Sequence, residues 1–458
     1  MKLLKSSFWL HSIFYTLLQR FSLFFFGAVS FMVLVRGFGK QTNGVETYGV
    51  WALFLTILAL FETIKQGLLR NPTIKFLGQS EYADKKREVQ SSAMLINIFC
   101  TLLAILLFTL GGSWLGHLLK SPDLVSLLDW SVSFLILLIP YNHYEVLLQA
   151  HYQFSKNFWA YFVRQGIFFL GVILLSFVWP QYLNLINLLY LQVGALAVGT
   201  AILFVSTAPY RLKGFHFNVG IMRDMFHFGK YIFGTNVFSN IARSFDHFIT
   251  ASVLNPAEGK TYVSYYNTVA RINNMIDVPS LAAADVLFPK NVETLETDGL
   301  GKVKYYFERM MGTILALVVP MSIFIFVFPK LIITILAPNF MEAVPILQLT
   351  ILFGLVRPLG YQFGNTLDAI GKPNVNFYVS VALMLVNLVA TFWCLSRFQG
   401  MGAAYATIIY NVISAIVLIS VLKKYVHIEV GNIFKYMFQA YKDLFGFARK
   451  KLLKTSGS

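Results

Sequence analysis

What this chain of 458 residues lacks narrows the field before anything it contains does. It has two cysteines, Cys100 and Cys394, both inside apolar runs, so no disulfide framework holds it together. Charged residues make up 13% of the sequence against roughly 25% in soluble domains, which leaves no material for a sizeable soluble domain. No group of His and Cys has metal-ligand spacing, and there is no Gly-x-Ser-x-Gly, so metal chemistry and a serine nucleophile are unsupported. The segment Asn255 to Thr261 ends like a phosphate-binding loop, but Leu254 stands where the pattern needs glycine, in an expected external turn. Without a nucleotide site, gradient-driven or passive transport is the class that remains.

What is present is apolar: 57% of the residues, enough for about a dozen spans of about 20 residues each. Apolar runs begin at about residues 8, 47, 92, 124, 157, 182, 230, 262, 304, 342, 375 and 400, giving twelve transmembrane helices. The first run is too long for a signal-peptide core and is expected to stay as an uncleaved helix. A net charge of +16 would suggest nucleic acid in a soluble protein, but here the bases sort by membrane side. With the N-terminus inside, 25 Lys and Arg fall on the cytoplasmic face, Lys65, Arg70 and Lys75 among them, and 6 on the other. Both termini are therefore expected in the cytoplasm, with no nucleic-acid partner. The external loops are short, which argues against a membrane glycosyltransferase or ligase. After Lys424, Ile433, Met437, Tyr441, Phe445 and Leu452 recur near one helical face, the pattern of a short interfacial helix.

The chain also repeats itself. Pro122, Pro140, Ala150 and Lys156 correspond to Pro338, Pro358, Ala369 and Lys372 at offsets of 216, 218, 219 and 216. Asn71-Pro72, expected to close the second span, corresponds to Phe288-Pro289 at 217. Six spans per half keep both copies in one orientation, so the expected fold is an all-α membrane protein of two pseudo-symmetric six-helix bundles. The expected division is 1–210 for the N-terminal bundle, 211–229 for a cytoplasmic linker, 230–426 for the C-terminal bundle and 427–458 for a cytoplasmic amphipathic tail.

Charges inside spans cost about 2.5 to 3.5 kcal/mol each on insertion scales, so each needs a reason. Arg243, Arg271 and Arg357 lie near mid-depth, while Arg20, Arg164 and Arg309 lie nearer an interface and can snorkel. Guanidinium suits phosphate, because its planar fork makes paired charge-assisted bonds and never loses its proton. Arg243, Arg271, Arg357, Arg20 and Arg164, with Asn267 and Asn274, are the candidate substrate-binding residues for an anionic or phosphate-bearing substrate. Asp246 and His247, beside Arg243, with Asp277, Asp285, Glu62 and Glu145, are the candidates for a coupling cation, Na+ or H+. Arg357-Pro358 is expected to interrupt the tenth span as Pro140 interrupts the fourth.

Tyr48 to Leu53, the run from Gly229-Lys230-Tyr231 to Arg243-Ser244-Phe245-Asp246, Tyr262 to Asn267, Asp368 to Pro373 and Gly400-Met401-Gly402-Ala403-Ala404 together resemble the polysaccharide transporters of the MATE-like (MOP) exporter superfamily. The resemblance spans nearly the whole chain. It implies a Wzx-type flippase of the MATE-like fold in the bacterial inner membrane, moving undecaprenyl-pyrophosphate-linked oligosaccharide, such as an O-antigen unit, by alternating access coupled to a cation gradient. It implies no cofactor, and as partners the lipid-linked oligosaccharide, the bilayer and other polysaccharide assembly proteins. The alternative within the superfamily is a drug or cation antiporter, which would rely on acids rather than on arginines.

Overall fold

The computed structural model describes residues 2–38, 44–118, 122–211, 214–253, 256–336 and 338–455. Its regular structure there is helical throughout: α1 (Lys2–Phe38), α2 (Gly44–Gly78), α3 (Lys86–Leu118), α4 (Pro122–Trp130), α5 (Val132–Ala150), α6 (Phe154–Ile173), α7 (Leu185–Ser206), α8 (Val219–Val253), α9 (Pro256–Thr297), α10 (Leu300–Val327), α11 (Pro329–Leu336), α12 (Val344–Phe353), α13 (Arg357–Ala369), α14 (Pro373–Phe398), α15 (Gly402–Val426) and α16 (Val430–Thr455). Helices satisfy every backbone group within the segment, which a lipid environment demands. Among the described residues eight stretches are long and apolar enough to cross a membrane, or nine with the bent pair α4 and α5. One of the eight, Pro373–Val426, is the hairpin of α14 and α15. The hairpin counts as two passes, and α8 and α9, long enough but more polar, complete the expected twelve.

The chain divides into two compact units, Met1–Phe233 and Gly234–Ser458. That division falls a few residues after the expected end of the linker, and the stretch 211–229 is helical from Val219 onward. The first unit packs around Trp51, Phe54, Leu127, Leu135 and Leu188, contributed by α2, α4, α5 and α7. A second cluster joins α2 and α3 to the start of α8, where Gly229 lets the backbone approach Leu68: a Cβ there would come within 3.1 Å of the Leu68 Cα. In the second unit Tyr266 on α9 closes the α14–α15 turn, donating from its hydroxyl to the Gly400 carbonyl at 2.8 Å and accepting from the Ala404 N–H at 2.9 Å. Gly402 is required at that turn, because a Cβ would sit 2.5 Å from the Leu395 Cα. The two motifs Tyr262 to Asn267 and Gly400 to Ala404 thus meet through Tyr266.

Four sequence expectations are corrected. Pro72 and Pro289 do not close their spans, since both lie inside helices that run on to Gly78 and Thr297. Pro140 does not interrupt the fourth span either. The break falls at Ser131, where the helix axis bends by 44° and the Ser131 hydroxyl donates to the Leu128 carbonyl at 2.6 Å, competing with the helical ladder. Pro358 does stand at a break, in the first turn of α13, where a missing N–H costs nothing. Third, Lys65 is no loop residue: it is buried inside α2, and the cytoplasmic excess of bases survives its removal. The supposed external turn before Thr261 is helical from Pro256 on.

Candidate functional site

In the first unit the candidate residues fall in two groups of polar side chains. Glu62 on α2 accepts from the Asn142 amide of α5 at 2.8 Å and faces the Lys65 ammonium at 3.0 Å, one helical turn on. The Lys65 side chain is 1% exposed, and its position over the Phe61 ring, 5.3 Å from the centroid, supplies further stabilisation. The carboxylate expected to take a coupling cation therefore already faces a resident one.

The second group surrounds Arg164 on α6. Its guanidinium lies 4.7 Å from the centre of the Tyr141 ring, and Tyr161 and Glu145 are near enough to act on it electrostatically. Gly199 on α7 makes the space, since a Cβ there would meet the Arg164 Cβ at 3.1 Å and the Tyr141 ring at 3.3 Å. Arg20 on α1 is half-buried and acts on Tyr161, whose hydroxyl accepts from Gln165 at 2.9 Å. Glu145 accepts weakly from Gln149 at 3.3 Å, and Gln149 in turn accepts from Arg70 at 2.7 Å. Arg20, Arg164 and Glu145, separate candidates in the sequence, thus belong to one network.

The second unit has its own group. Arg357, in the first turn of α13, pairs with Asp277 of α9 at 2.5 Å and lies 3.4 Å from the Asn274 amide oxygen. Tyr361, one turn beyond Arg357, donates to the same Asp277 oxygen at 3.1 Å. The carboxylate is 5% exposed and the arginine 31%, so the guanidinium is the more accessible member of the pair. The break before α13 positions the pair, for it sets Arg357 in a helix's opening turn while Tyr361 follows on the same face. Gln362, on the same helix, donates to the Ser280 carbonyl of α9 at 2.9 Å. Asp285, also on α9, is half-buried.

Each unit therefore ties a carboxylate on its second long helix to the second half of its broken fourth pass, α5 in one and α13 in the other. Glu62 reaches Asn142 and Asp277 reaches Arg357, both across 80 residues of sequence. Sequence reasoning missed Lys65, Asn142, Tyr141, Tyr161 and Tyr361. Two carried a signal, Lys65 by its spacing of three from Glu62 and Tyr361 by its spacing of four from Arg357. The side chains of Arg243, Asp246, His247, Asn267 and Arg271 lie outside the described residues, although their backbones belong to α8 and α9. Arg309 is exposed at the start of α10 and bonds the Tyr305 hydroxyl at 2.7 Å, as a snorkelling residue does.

Comparison with known proteins fits this architecture. An outward-facing multidrug resistance MATE family transporter of the MOP superfamily superposes with a TM-score of 0.78 at 13% identity, over 92% of this chain and 95% of that one. A Vibrio cholerae MATE transporter gives 0.77 at 15% identity, over 91% and 97%. A MOP superfamily transporter from Pyrococcus furiosus, described as having a binding pocket of reverse polarity that suggests a different function, gives 0.75 at 13%, over 92% and 95%. An uncharacterized membrane protein of Methanocaldococcus jannaschii is 26% identical over 197 residues, 42% of this chain, and the chain spans 38% of that protein's length. The structural likenesses establish the fold, a multi-pass membrane protein of the MATE-like type. Residues 44–345, well over half of the sequence, match the family model described as polysaccharide biosynthesis protein, and the chain belongs to that family.

Proposed function

We propose that the protein is a flippase that moves undecaprenyl-pyrophosphate-linked oligosaccharide from the cytoplasmic to the periplasmic leaflet of a bacterial inner membrane, with both termini cytoplasmic. The observation that carries this reading is the Arg357–Asp277 pair: a guanidinium inside a membrane-spanning bundle, anchored by a buried acid yet itself 31% exposed. Its fork is held at the anchored edge and leaves donors for a phosphate oxygen. Membership of a polysaccharide biosynthesis family supplies the glycan, and the pyrophosphate supplies the anion that such an arginine takes. Arg164 and Arg20 give the first unit a basic group of its own.

Alternating access would run on a cation gradient, sodium or proton. Glu62 faces Lys65 on its own helix, and the acids proposed for coupling are Asp277, Glu145, Asp285 and, by sequence, Asp246. A cation or proton on Asp277 would weaken its hold on Arg357 and free the guanidinium for substrate, which links the two events through one pair.

The test is a vesicle assay that follows the accessibility of a fluorescent undecaprenyl-pyrophosphate oligosaccharide to an external glycan-modifying probe. Wild-type protein is expected to transfer it, and Arg357→Ala and Arg164→Ala to lose transfer per folded molecule, with the amount of folded protein measured alongside. Arg357→Lys separates charge from fork and is expected to be impaired. Full transfer by both alanine variants would end the assignment. Vesicles that move a small organic cation instead would point to an exporter.

A further inference from the structure

We infer that α16 is an arm that binds anionic phospholipid at the membrane surface. Its place in the fold puts it there. Three residues separate the end of α15 at Val426 from the start of α16 at Val430, so the helix cannot leave the membrane boundary. It is then fastened to α10. The buried Glu308 carboxylate accepts from the Glu429 N–H at 2.7 Å and from the Asn432 amide at 3.0 Å, the Lys304 ammonium pairs with Glu429, and the Tyr305 and Tyr436 rings meet edge to face at 5.7 Å. Gly312 is the crossing point: a Cβ there would lie 2.7 Å from the Ile433 carbonyl oxygen and 2.8 Å from the Met437 nitrogen, backbone atoms that cannot give way. A hydrocarbon core of about 30 Å takes about 20 residues of helix. The last twenty residues of α10 are Glu308–Val327, so the crossing at Gly312 falls about one helical turn inside the core's edge.

The helix presents a second apolar face there. Ile433 and Met437 are buried, but Phe434 and Phe438, about 100° further round, are 49% and 60% exposed. Lys435 and Lys442 are exposed beside them. Through its length α16 carries Lys435, Lys442, Arg449, Lys450, Lys451 and Lys454 against one acid, Asp443. Phenylalanines bordered by cations are the arrangement that inserts rings among the upper acyl carbons while the ammonium groups stay at the phosphates. A neutral bilayer would satisfy the rings alone. The excess of bases selects a leaflet rich in anionic headgroups.

The experiment uses the full chain, with Phe438→Cys carrying an environment-sensitive fluorophore, reconstituted in phosphatidylcholine with and without phosphatidylglycerol. Labelled protein without that substitution corrects for Cys100 and Cys394. Lipid spin-labelled near the headgroup should quench the label, and iodide in the aqueous phase should not. Phosphatidylglycerol should increase the quenching. High salt, or Lys435→Glu with Lys442→Glu, should abolish the increase, and these exposed positions leave folding intact. Quenching that ignores both phosphatidylglycerol and salt would overturn the choice of an anionic lipid. Full access of iodide in every bilayer would overturn membrane binding altogether, as would protection from iodide only on adding a soluble protein fraction.

Discussion

Replacing Arg357 by Met keeps most of the side-chain volume and removes the charge, and Asp277 is left 5% exposed with its guanidinium partner gone. Breaking a buried pair by removing one partner costs about 3–5 kcal/mol. Because Arg357 is 31% exposed and the pair is only partly buried, the low end of that range, about 3 kcal/mol, applies. Asp277→Asn is milder. It keeps the shape and a hydrogen-bonding group for Tyr361, and the guanidinium can turn toward solvent, so about 1 kcal/mol is expected. The double variant has no stranded charge and should recover most of the Arg357→Met loss, a coupling of about 2–3 kcal/mol. The assay is thermal unfolding of purified protein followed by tryptophan fluorescence. At about 2–4 °C per kcal/mol for a unit of this size, Arg357→Met should lower Tm by about 6–12 °C. Additivity of the two substitutions within about 0.5 kcal/mol would refute the argument, because it would mean that the carboxylate does not depend on the arginine for its charge.

Gly199→Ala should press a methyl on Arg164 and Tyr141, costing about 1–3 kcal/mol by overpacking and reducing flipping more than protein level, as measured in the vesicle assay. Gly312→Leu should force α16 off α10 and open the Ile433–Met437 stretch to limited proteolysis, while the rest of the chain stays resistant. His151, in the turn between α5 and α6, stacks on Tyr210 at 4.4 Å with Nδ1 2.8 Å from the Leu147 carbonyl, and burial pushes its pKa below the ordinary value. The unfolded chain then binds the proton more readily. Stability should therefore be full above about pH 6.5 and fall as the pH drops below it. His151→Phe keeps the stack and should flatten that part of the Tm profile.

The number of passes, the twofold repeat and the family resemblance were legible in the sequence because each rests on long apolar runs and on glycines and prolines at fixed offsets. A proline's consequence was not legible, since it depends on neighbours. Pro72 and Pro289 sit within continuous helices, and the fourth pass breaks at Ser131, where a side-chain hydroxyl rather than a ring competes for the backbone. Lys65 was misread for a related reason: counting bases by loop treats a lysine near a span's end as solvated, and only the fold shows Glu62 one turn away and Asn142 closing the pocket.

The candidate site divides along the same line. Depth along a helix can be read from sequence and points to Arg357, while the run of polar residues along the eighth span points to Asn274 and Asp277. Pairing requires knowing that the second half of the broken pass lies against the second long helix of its own unit, a relation that spans 80 residues and leaves no periodic trace. Once that relation is known, the two halves differ in a way that bears on mechanism. In the first unit the cation answering the carboxylate is a lysine on the same helix, 1% exposed, so nothing about the pair changes when helices shift. In the second it is an arginine from another helix, beside a break, and partly exposed. A pair of the first kind stabilises a bundle, whereas one of the second kind can be made and unmade as α13 moves against α9. On that reasoning Glu62→Gln should lower Tm with little change in the transport rate per folded molecule, and Asp277→Asn should slow transport more than it lowers Tm. If the two variants show the same ratio of transport to stability, the distinction between a structural and a working carboxylate fails.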